Sequence, residues 1–320
     1  MITLSASKSV LLTDPIAAEG EAALARAARV IRAPDSSPDT IRRLARDADG
    51  VITRSKLPDD IFAAAPRLRA VVIHGTGIDL VPLSAAAERG ALVANLPGGN
   101  AQSVAEYCVM AMLMLARNVV SIVASLRSGS WDAARALGAG VHEVSAMTLG
   151  LVGVGEIGKR AARICRQGLG MRVLGHQRRL DRIGPDAEPA SLEDLLGASD
   201  FVVVTCPLTP QTHHLLDARA LALMKPTAWL VNVGRGAVVE EQALLAALRE
   251  KRIAGAMLDV YEHYRLEPGH PFFALENIVL TPHLAGMTRE SRARMGLAAA
   301  EEMLRMLAGE PPKNPVHAHR

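Results

Sequence analysis

The sequence predicts an α/β protein made of two doubly wound parallel-sheet domains, and three observations carry that prediction. Short runs rich in Val, Leu and Ile alternate with amphipathic helical stretches along the chain, the pattern of parallel strands joined by helical crossovers. At 320 residues, 49% of them hydrophobic, the chain is long enough for about two domains with separate cores. A glycine-rich turn between an apolar run and a helix opens only near residue 153, so an α/β segment of its own precedes it.

The first hundred residues alternate apolar runs with helical patterns in the order VLLTDP, EAALARAARVIRA, DGVITRS, DIFAAAPRLRAVVIHGTG and GALVANLP. The apolar stretch SVAEYCVMAMLMLAR, residues 103–117, predicts a long helix whose Met and Leu stripe serves the core or a subunit contact. Residues 127–140, with Trp131, read as irregular. From Thr148 the strand pattern resumes at TLGLVGV, MRVLGH, FVVVTC, AWLVNVG, GAMLDV and NIVLTPH, which gives the second sheet. A helix over about residues 289–308 closes the chain before a Pro-rich tail, EPPKNPVHAHR, that reads as a surface segment.

Within TLGLVGVGEIGKRAARICRQ, residues 148–152 read as a buried strand and 159–167 as a helix, with Gly153, Gly155 and Gly158 between them. This is the layout of a dinucleotide-binding βαβ unit. Gly153 permits the tight turn, Gly155 lets backbone N–H groups approach a pyrophosphate, and Gly158 allows close packing of helix on strand. Glycine turns of S-adenosylmethionine enzymes look similar, so it is the flanking strand and helix that favour a dinucleotide.

Composition narrows the function classes. A net charge of +3, with Lys and Arg dispersed and only 3% aromatic residues, gives no support for nucleic-acid binding. Cys108, Cys165 and Cys206 lie in apolar stretches at spacings that suit neither zinc nor a disulfide framework, so they read as core thiols of a cytoplasmic protein, and no metal site is expected. The opening MITLSASKSVLLTDP lacks the pattern of a secretion signal, and 103–117 is too short and too interrupted for a membrane span.

In an open parallel sheet, ligands bind beyond the carboxyl ends of the strands. There the sequence places Arg235 after WLVNVG, Asp259 after GAML and His283 after NIVLTP. Together they could supply a carboxylate clamp, an orienting group and a proton donor. The competing reading is an Arg in a loop salt bridge, an Asp capping a turn and a His in a polar niche.

HGTGIDLVPL (74–83), GGNAQSVAEY (98–107), GLVGVGEIG (150–158), PLTPQTHHLL (207–216), NVGRGAVVEEQAL (232–244), LDVY (258–261) and TPHLAG (281–286) stand in an order that resembles the D-isomer-specific 2-hydroxyacid dehydrogenase family over nearly the whole chain. The resemblance implies a flavodoxin-like substrate domain, residues 1–101 plus 288–320, with a Rossmann cofactor domain, 102–287, inserted into it and two chains pairing through the cofactor domains. It implies reduction of a small 2-oxo acid to a D-2-hydroxy acid, with His283 donating a proton to the oxo oxygen and Arg235 binding the carboxylate and polarising the carbonyl. Thr76 and Gly77 would bind the other carboxylate oxygen, with Asn100 near the substrate. Arg54 resembles the position that meets a distal anion in phosphoglycerate enzymes, or is simply an exposed strand-end Arg. The dinucleotide is expected against Gly153, Gly155, Glu156, Ile157, Gly158, Gln177, Arg178, Arg179, Cys206, Pro207, Thr212, Val233, Gly234, Arg235, Asp259, His283 and Gly286.

Two positions depart from the family pattern. Relatives carry a Glu five residues after the Asp of LDV, where it hydrogen-bonds the His and raises its pKa; here that slot holds Tyr264. Glu267, before Pro268, restores the Glu-Pro pair if the loop shifts register, with Glu262 as the other candidate; Glu267 is the expected third catalytic group. The second cofactor strand ends in Gln177, Arg178 and Arg179, where an NAD enzyme normally has an acid for the ribose 2′-OH. Loss of that charge and the two Arg side chains favour NADP(H), with NAD(H) still possible. A second class of function stays open: some relatives are corepressors that sense the dinucleotide, a reading that the displaced Glu keeps alive.

Overall fold

The computed structural model describes residues 8–317. Residues 1–7 and 318–320, which include the start of the opening segment and the end of the tail, lie outside the described residues. Two compact units form: one from the residues up to Asn100 together with those from Met287 onward, the other from Ala101–Gly286.

The first unit carries five strands, β1 (Lys8–Leu12), β2 (Ala28–Arg32), β3 (Gly50–Thr53), β4 (Ala70–Ile73) and β5 (Leu92–Ala94). They pair in parallel in the order β2-β1-β3-β4-β5, the flavodoxin-like winding. Alternation along each strand explains why both faces are covered. Leu11, Val51, Val71, Ile73 and Val93 pack with Ile41, Ile61 and Phe62 on one side. Val10, Leu12, Ile52, Val72 and Ala94 pack on the other with Met295, Ala299 and Met303 of the helix Arg289–Leu307. The described part of the Pro-rich tail lies at the surface, as expected, every residue exposed or half-buried, and it also meets the edge of this sheet: Pro315 bridges Ala94 antiparallel, and the Val316 amide donates to Val93 O at 2.8 Å.

The second unit carries β6 (Thr148–Val152), β7 (Arg172–His176), β8 (Glu188–Pro189), β9 (Phe201–Val204), β10 (Trp229–Asn232), β11 (Gly255–Leu258) and β12 (Ile278–Leu280). Their order is β12-β11-β10-β9-β6-β7-β8, all parallel, so the winding reverses between β6 and β9. The carboxyl end of that reversal is where such sheets bind ligands. The two-residue β8 is a strand that the sequence pattern missed. Leu149, Leu151, Val203 and Val231 bury one face under the helix Ala101–Ala116, and Val152, Val202, Val204 and Leu230 bury the other. Residues 127–140, expected as irregular, contain the helix Trp131–Ala136 and a tight 3-10 turn, Leu137–Gly140. The helix after the glycine turn starts earlier than expected, at Glu156, and runs to Arg163 before a π-helical turn, Ile164–Gly168. Among the described residues no single helix is long and apolar enough to cross a membrane.

Candidate active site

The glycine turn sits at the winding reversal because β6 ends there. Gly153 has φ +101°, and a Cβ on it would lie 2.6 Å from the Cys206 amide nitrogen after β9. Only glycine satisfies both conditions. Thr205, which the sequence reading passed over, locks the turn by donating from Oγ1 to Gly153 O at 2.5 Å. A Cβ on Gly158 would meet Gly153 O at 2.4 Å, so the helix packs on the turn with backbone in contact. Gly155 differs: a Cβ there would meet nothing within 4 Å. It caps a helix whose first turn has no side-chain cap, so the N–H groups of that turn, at Glu156, Ile157 and Gly158, keep donors for an anion. Open space beside uncapped amides fits a dinucleotide pyrophosphate. The Glu156 carboxylate itself lies along the helix, 2.7 Å from Arg160.

On the neighbouring strand, Gln177 folds back to donate to Arg179 O at 2.8 Å. Arg179 pairs with Asp181 at 3.2 Å, and both Arg178 and Arg179 are exposed. After β9, the Thr212 hydroxyl closes its own turn, donating to Pro207 O at 2.7 Å and accepting from the Thr209 amide at 2.8 Å. Cys206 is buried, which pushes its thiol up to about 11. It is therefore a neutral packing group.

Arg235 follows β10 in an extended conformation and donates from Nη1 to Gly234 O at 2.9 Å. The loop is fixed by Asn232, 1% exposed, whose amide donates to Arg235 O at 3.0 Å and accepts from the Gly234 amide at 3.0 Å. Asn232 was invisible as a site residue, although an amide at the end of WLVN is the signal that could have marked it. Asp259, expected among the dinucleotide contacts, is 1% exposed. Its carboxylate accepts from the Thr281 hydroxyl at 2.7 Å and from the amides of Leu284 and Ala285 at 2.7 and 2.8 Å. Its carbonyl accepts from the His283 amide at 2.9 Å. Asp259 thus positions the His283 loop from within. The Val233, Gly234 and Gly286 backbones lie on these same two loops.

His283 is exposed and sits at φ +58°. Its neighbour is Tyr264, at φ +61°, whose ring meets the imidazole edge-to-face with centroids 6.1 Å apart. The structure does not bring Glu267 to His283. Glu267 is exposed and only its carbonyl is engaged, by the His270 amide at 3.0 Å. Glu262 turns the other way, toward His214 Nε2 at 2.9 Å and the Glu241 amide at 3.4 Å. Burial pushes the Glu262 carboxyl up, but these hydrogen bonds outweigh it and hold the group below its ordinary range. The re-registered loop fails because the left-handed turn at Tyr264 presents that ring instead.

In the first unit, Arg54 follows β3, half-buried, with its amide on Thr13 Oγ1 at 3.3 Å. After β4, Thr76 is exposed, with its carbonyl held by Asn95 Nδ2 at 2.7 Å, and Gly77 and Asn100 are partly exposed. His74, not singled out from the sequence, is 7% exposed. Burial and the Arg54 charge push its pKa down to about 4, and its Nε2 has no hydrogen-bond partner. It is a neutral imidazole.

A parallel sheet wound as in the second unit, with a glycine turn at the reversal, Arg235 after β10 and His283 after β12, fits a nicotinamide-dependent oxidoreductase. Residues 109–285 match the model of the D-isomer specific 2-hydroxyacid dehydrogenase NAD-binding domain. The chain is 41% identical over 293 residues to a glyoxylate reductase of Aeropyrum pernix, covering 87% of this chain and 86% of that one. It is 33% identical over 316 residues to a D-3-phosphoglycerate dehydrogenase of Methanocaldococcus jannaschii, covering 96% of this chain and 59% of the relative. Among solved structures, an NADPH-dependent glyoxylate/hydroxypyruvate reductase from Sinorhizobium meliloti, in complex with NADP and malonate, superposes with a TM-score of 0.86 at 28% identity, covering 98% and 99% of the two chains. The chain belongs to the D-isomer specific 2-hydroxyacid dehydrogenase family. It is an NAD(P)-dependent oxidoreductase that reduces 2-oxo acids, and these relatives favour the enzyme over the corepressor-like reading.

Proposed function

We propose that the chain is an NADPH-preferring reductase of glyoxylate and hydroxypyruvate. The observation that carries this reading is the pair of strand-end loops on which Asn232 holds Arg235 and Asp259 holds His283, together with the names of the relatives. The nicotinamide, when bound, supplies the hydride. Arg235 pairs with the substrate carboxylate and draws electron density toward the carbonyl oxygen, and His283 gives that oxygen its proton as the alkoxide develops. Asp259 is a positioning residue, and Glu267 has no part in the step. In the first unit, the amides of Thr76 and Gly77 bind a carboxylate oxygen, and Arg54 and Asn100 border the substrate.

Arg178 supports the cofactor preference: it is an exposed cation beyond β7, on a strand end without the acid that would repel a 2′-phosphate. A homodimer is supported by the exposed apolar residues Met110, Leu113, Val119, Val123 and Trp131 in the second unit. They fall within one stretch of sequence, residues 110–131, and exposed apolar surface marks protein contacts when it is contiguous. Steady-state assays with glyoxylate, hydroxypyruvate, pyruvate and 3-phosphohydroxypyruvate, each with NADPH and NADH, test the reading. Glyoxylate or hydroxypyruvate with NADPH should give the highest kcat/KM. Arg178→Ala should cut NADPH affinity by about tenfold, one charge-assisted hydrogen bond, while leaving NADH unchanged. Faster turnover of pyruvate or the phosphorylated acid, or equal loss for both cofactors, refutes it.

A further inference from the structure

One cluster among the described residues combines metal-ligand chemistry with a built frame and takes no part in the hydride and proton steps: His213, His214 and Glu262. The two histidines end the loop that follows β9. That loop is tied in place: the His213 amide donates to Thr209 O at 2.9 Å and the His214 amide to Ala237 O at 2.8 Å. His214 sits in the left-handed region at φ +50°, which turns its ring alongside that of His213 with centroids 3.9 Å apart. Glu262 arrives from a different strand end, after β11, and its Oε1 lies 2.9 Å from His214 Nε2. One nitrogen from each ring and one carboxylate oxygen all fall within 4.8 Å of one another.

We propose that His213, His214 and Glu262 bind a divalent transition-metal ion, with Zn2+ the best chemical match. Two imidazole nitrogens and one carboxylate oxygen suit zinc and its neighbours, whereas Mg2+ and Ca2+ prefer all-oxygen sites. The geometry is close to what an ion needs. A tetrahedron with metal–ligand bonds of about 2.0 Å has edges of about 3.3 Å, and the His214–Glu262 separation is already near that edge. The ion would take the place of the proton that this pair shares. His213 is exposed, so its ring can swing in to complete three protein ligands, and the open side leaves the fourth position to water. The ion would tie the loop after β9 to the loop after β11, two segments joined here by a single hydrogen bond between side chains.

The test is isothermal titration of the chelator-treated full chain with ZnCl2, with Co2+ as a spectroscopic probe. The wild type should bind one equivalent of Zn2+, gain visible d–d absorption of a low-coordinate N/O site with Co2+, and unfold at a higher temperature when loaded. His213→Ala, a change at an exposed side chain, should leave the metal-free circular dichroism and melting temperature unchanged and weaken Zn2+ binding by at least about 100-fold. Glu262→Gln should also lose the site, but it loosens the Glu241 amide contact, so the His213 variant is the deciding one. No saturable Zn2+ or Co2+ binding by the wild type, or unchanged affinity in His213→Ala, overturns the proposal.

Discussion

Replacing Asp259 with Asn tests whether one buried carboxylate holds the loop of His283. The side chain is 1% exposed. One oxygen accepts from Thr281 Oγ1 and the Leu284 amide, both at 2.7 Å, and the other from the Ala285 amide at 2.8 Å. An Asn side chain has a single acceptor oxygen. Whichever way it turns, its NH2 group faces a backbone N–H that cannot become an acceptor, so one amide is left unsatisfied. A hydrogen bond to a charged acceptor contributes about 1.5–3 kcal/mol, and a stranded buried donor costs about 1–3 kcal/mol. The variant should therefore lose about 3–5 kcal/mol of stability, read as a lower urea midpoint at constant slope. The His283 amide keeps its bond to the Asp259 carbonyl, so the loop shifts rather than unravels. A shift on the order of 1 Å at the proton donor lowers kcat by about 100-fold. Dinucleotide affinity, set by the turn after β6, should stay within about threefold on the same reasoning. Stability within about 0.5 kcal/mol of the wild type, the range of an ordinary surface change, together with an unchanged kcat would refute the positioning role.

Three further predictions concern single positions. Tyr264→Glu places a carboxylate against the His283 ring; an anion favours the imidazolium and raises its pKa, by about one unit or more. Reduction needs that proton, so the limb on which activity falls with rising pH should move upward, while Tyr264→Phe should leave it in place; a Glu variant with an unmoved limb contradicts the reasoning. Gly155→Ala enters open space and should keep the fold within about 1 kcal/mol yet weaken dinucleotide binding, measured by nicotinamide fluorescence titration, by at least about tenfold. Gly153→Ala should fail to fold, because its Cβ would strike the Cys206 backbone; a well-folded Gly153→Ala, or a Gly155→Ala with full affinity, counts against the turn as described. His74 is held neutral, its pKa pushed from 6.5 down to about 4. The unfolded chain therefore binds a proton that the folded chain refuses, and stability is full above pH 6.5 and falls as pH drops toward 4 by about 3 kcal/mol. Denaturant titrations across that window should show this slope shrink in His74→Gln, and an identical slope would show that His74 does not contribute.

The fold was legible because its signals are local and redundant. Apolar runs and helical stretches alternate on the scale of single elements, and Gly153 stands where no other residue fits. The tail that pairs with β5 was not legible, since the bond from the Val316 amide to Val93 O is backbone to backbone and leaves no mark on a Pro-rich sequence. The short strand β8, Glu-Pro by sequence, carries no apolar signature either. In the site, Arg235 and His283 could be placed from strand ends. Asn232, which holds the Arg235 loop, and Thr205, which locks the glycine turn, looked like ordinary polar residues in or beside apolar runs. Glu267 was chosen by counting along a loop. Counting cannot foresee that the backbone turns left-handed at Tyr264 and presents its ring to His283 instead.

In the sequence, the segments of the first unit flank that of the second, and this orders events during synthesis. Val10, Leu12, Ile52 and Val72 leave the ribosome long before the residues that cover them, Met295, Ala299 and Met303. At translation rates of about 5–20 residues per second, the interval is of the order of 10–50 s. Ala101–Gly286 can complete its own core during that wait, while one face of the first sheet remains bare. Exposed apolar surface of that kind is aggregation-prone on a nascent chain, and the helix Arg289–Leu307 is the segment whose arrival covers it.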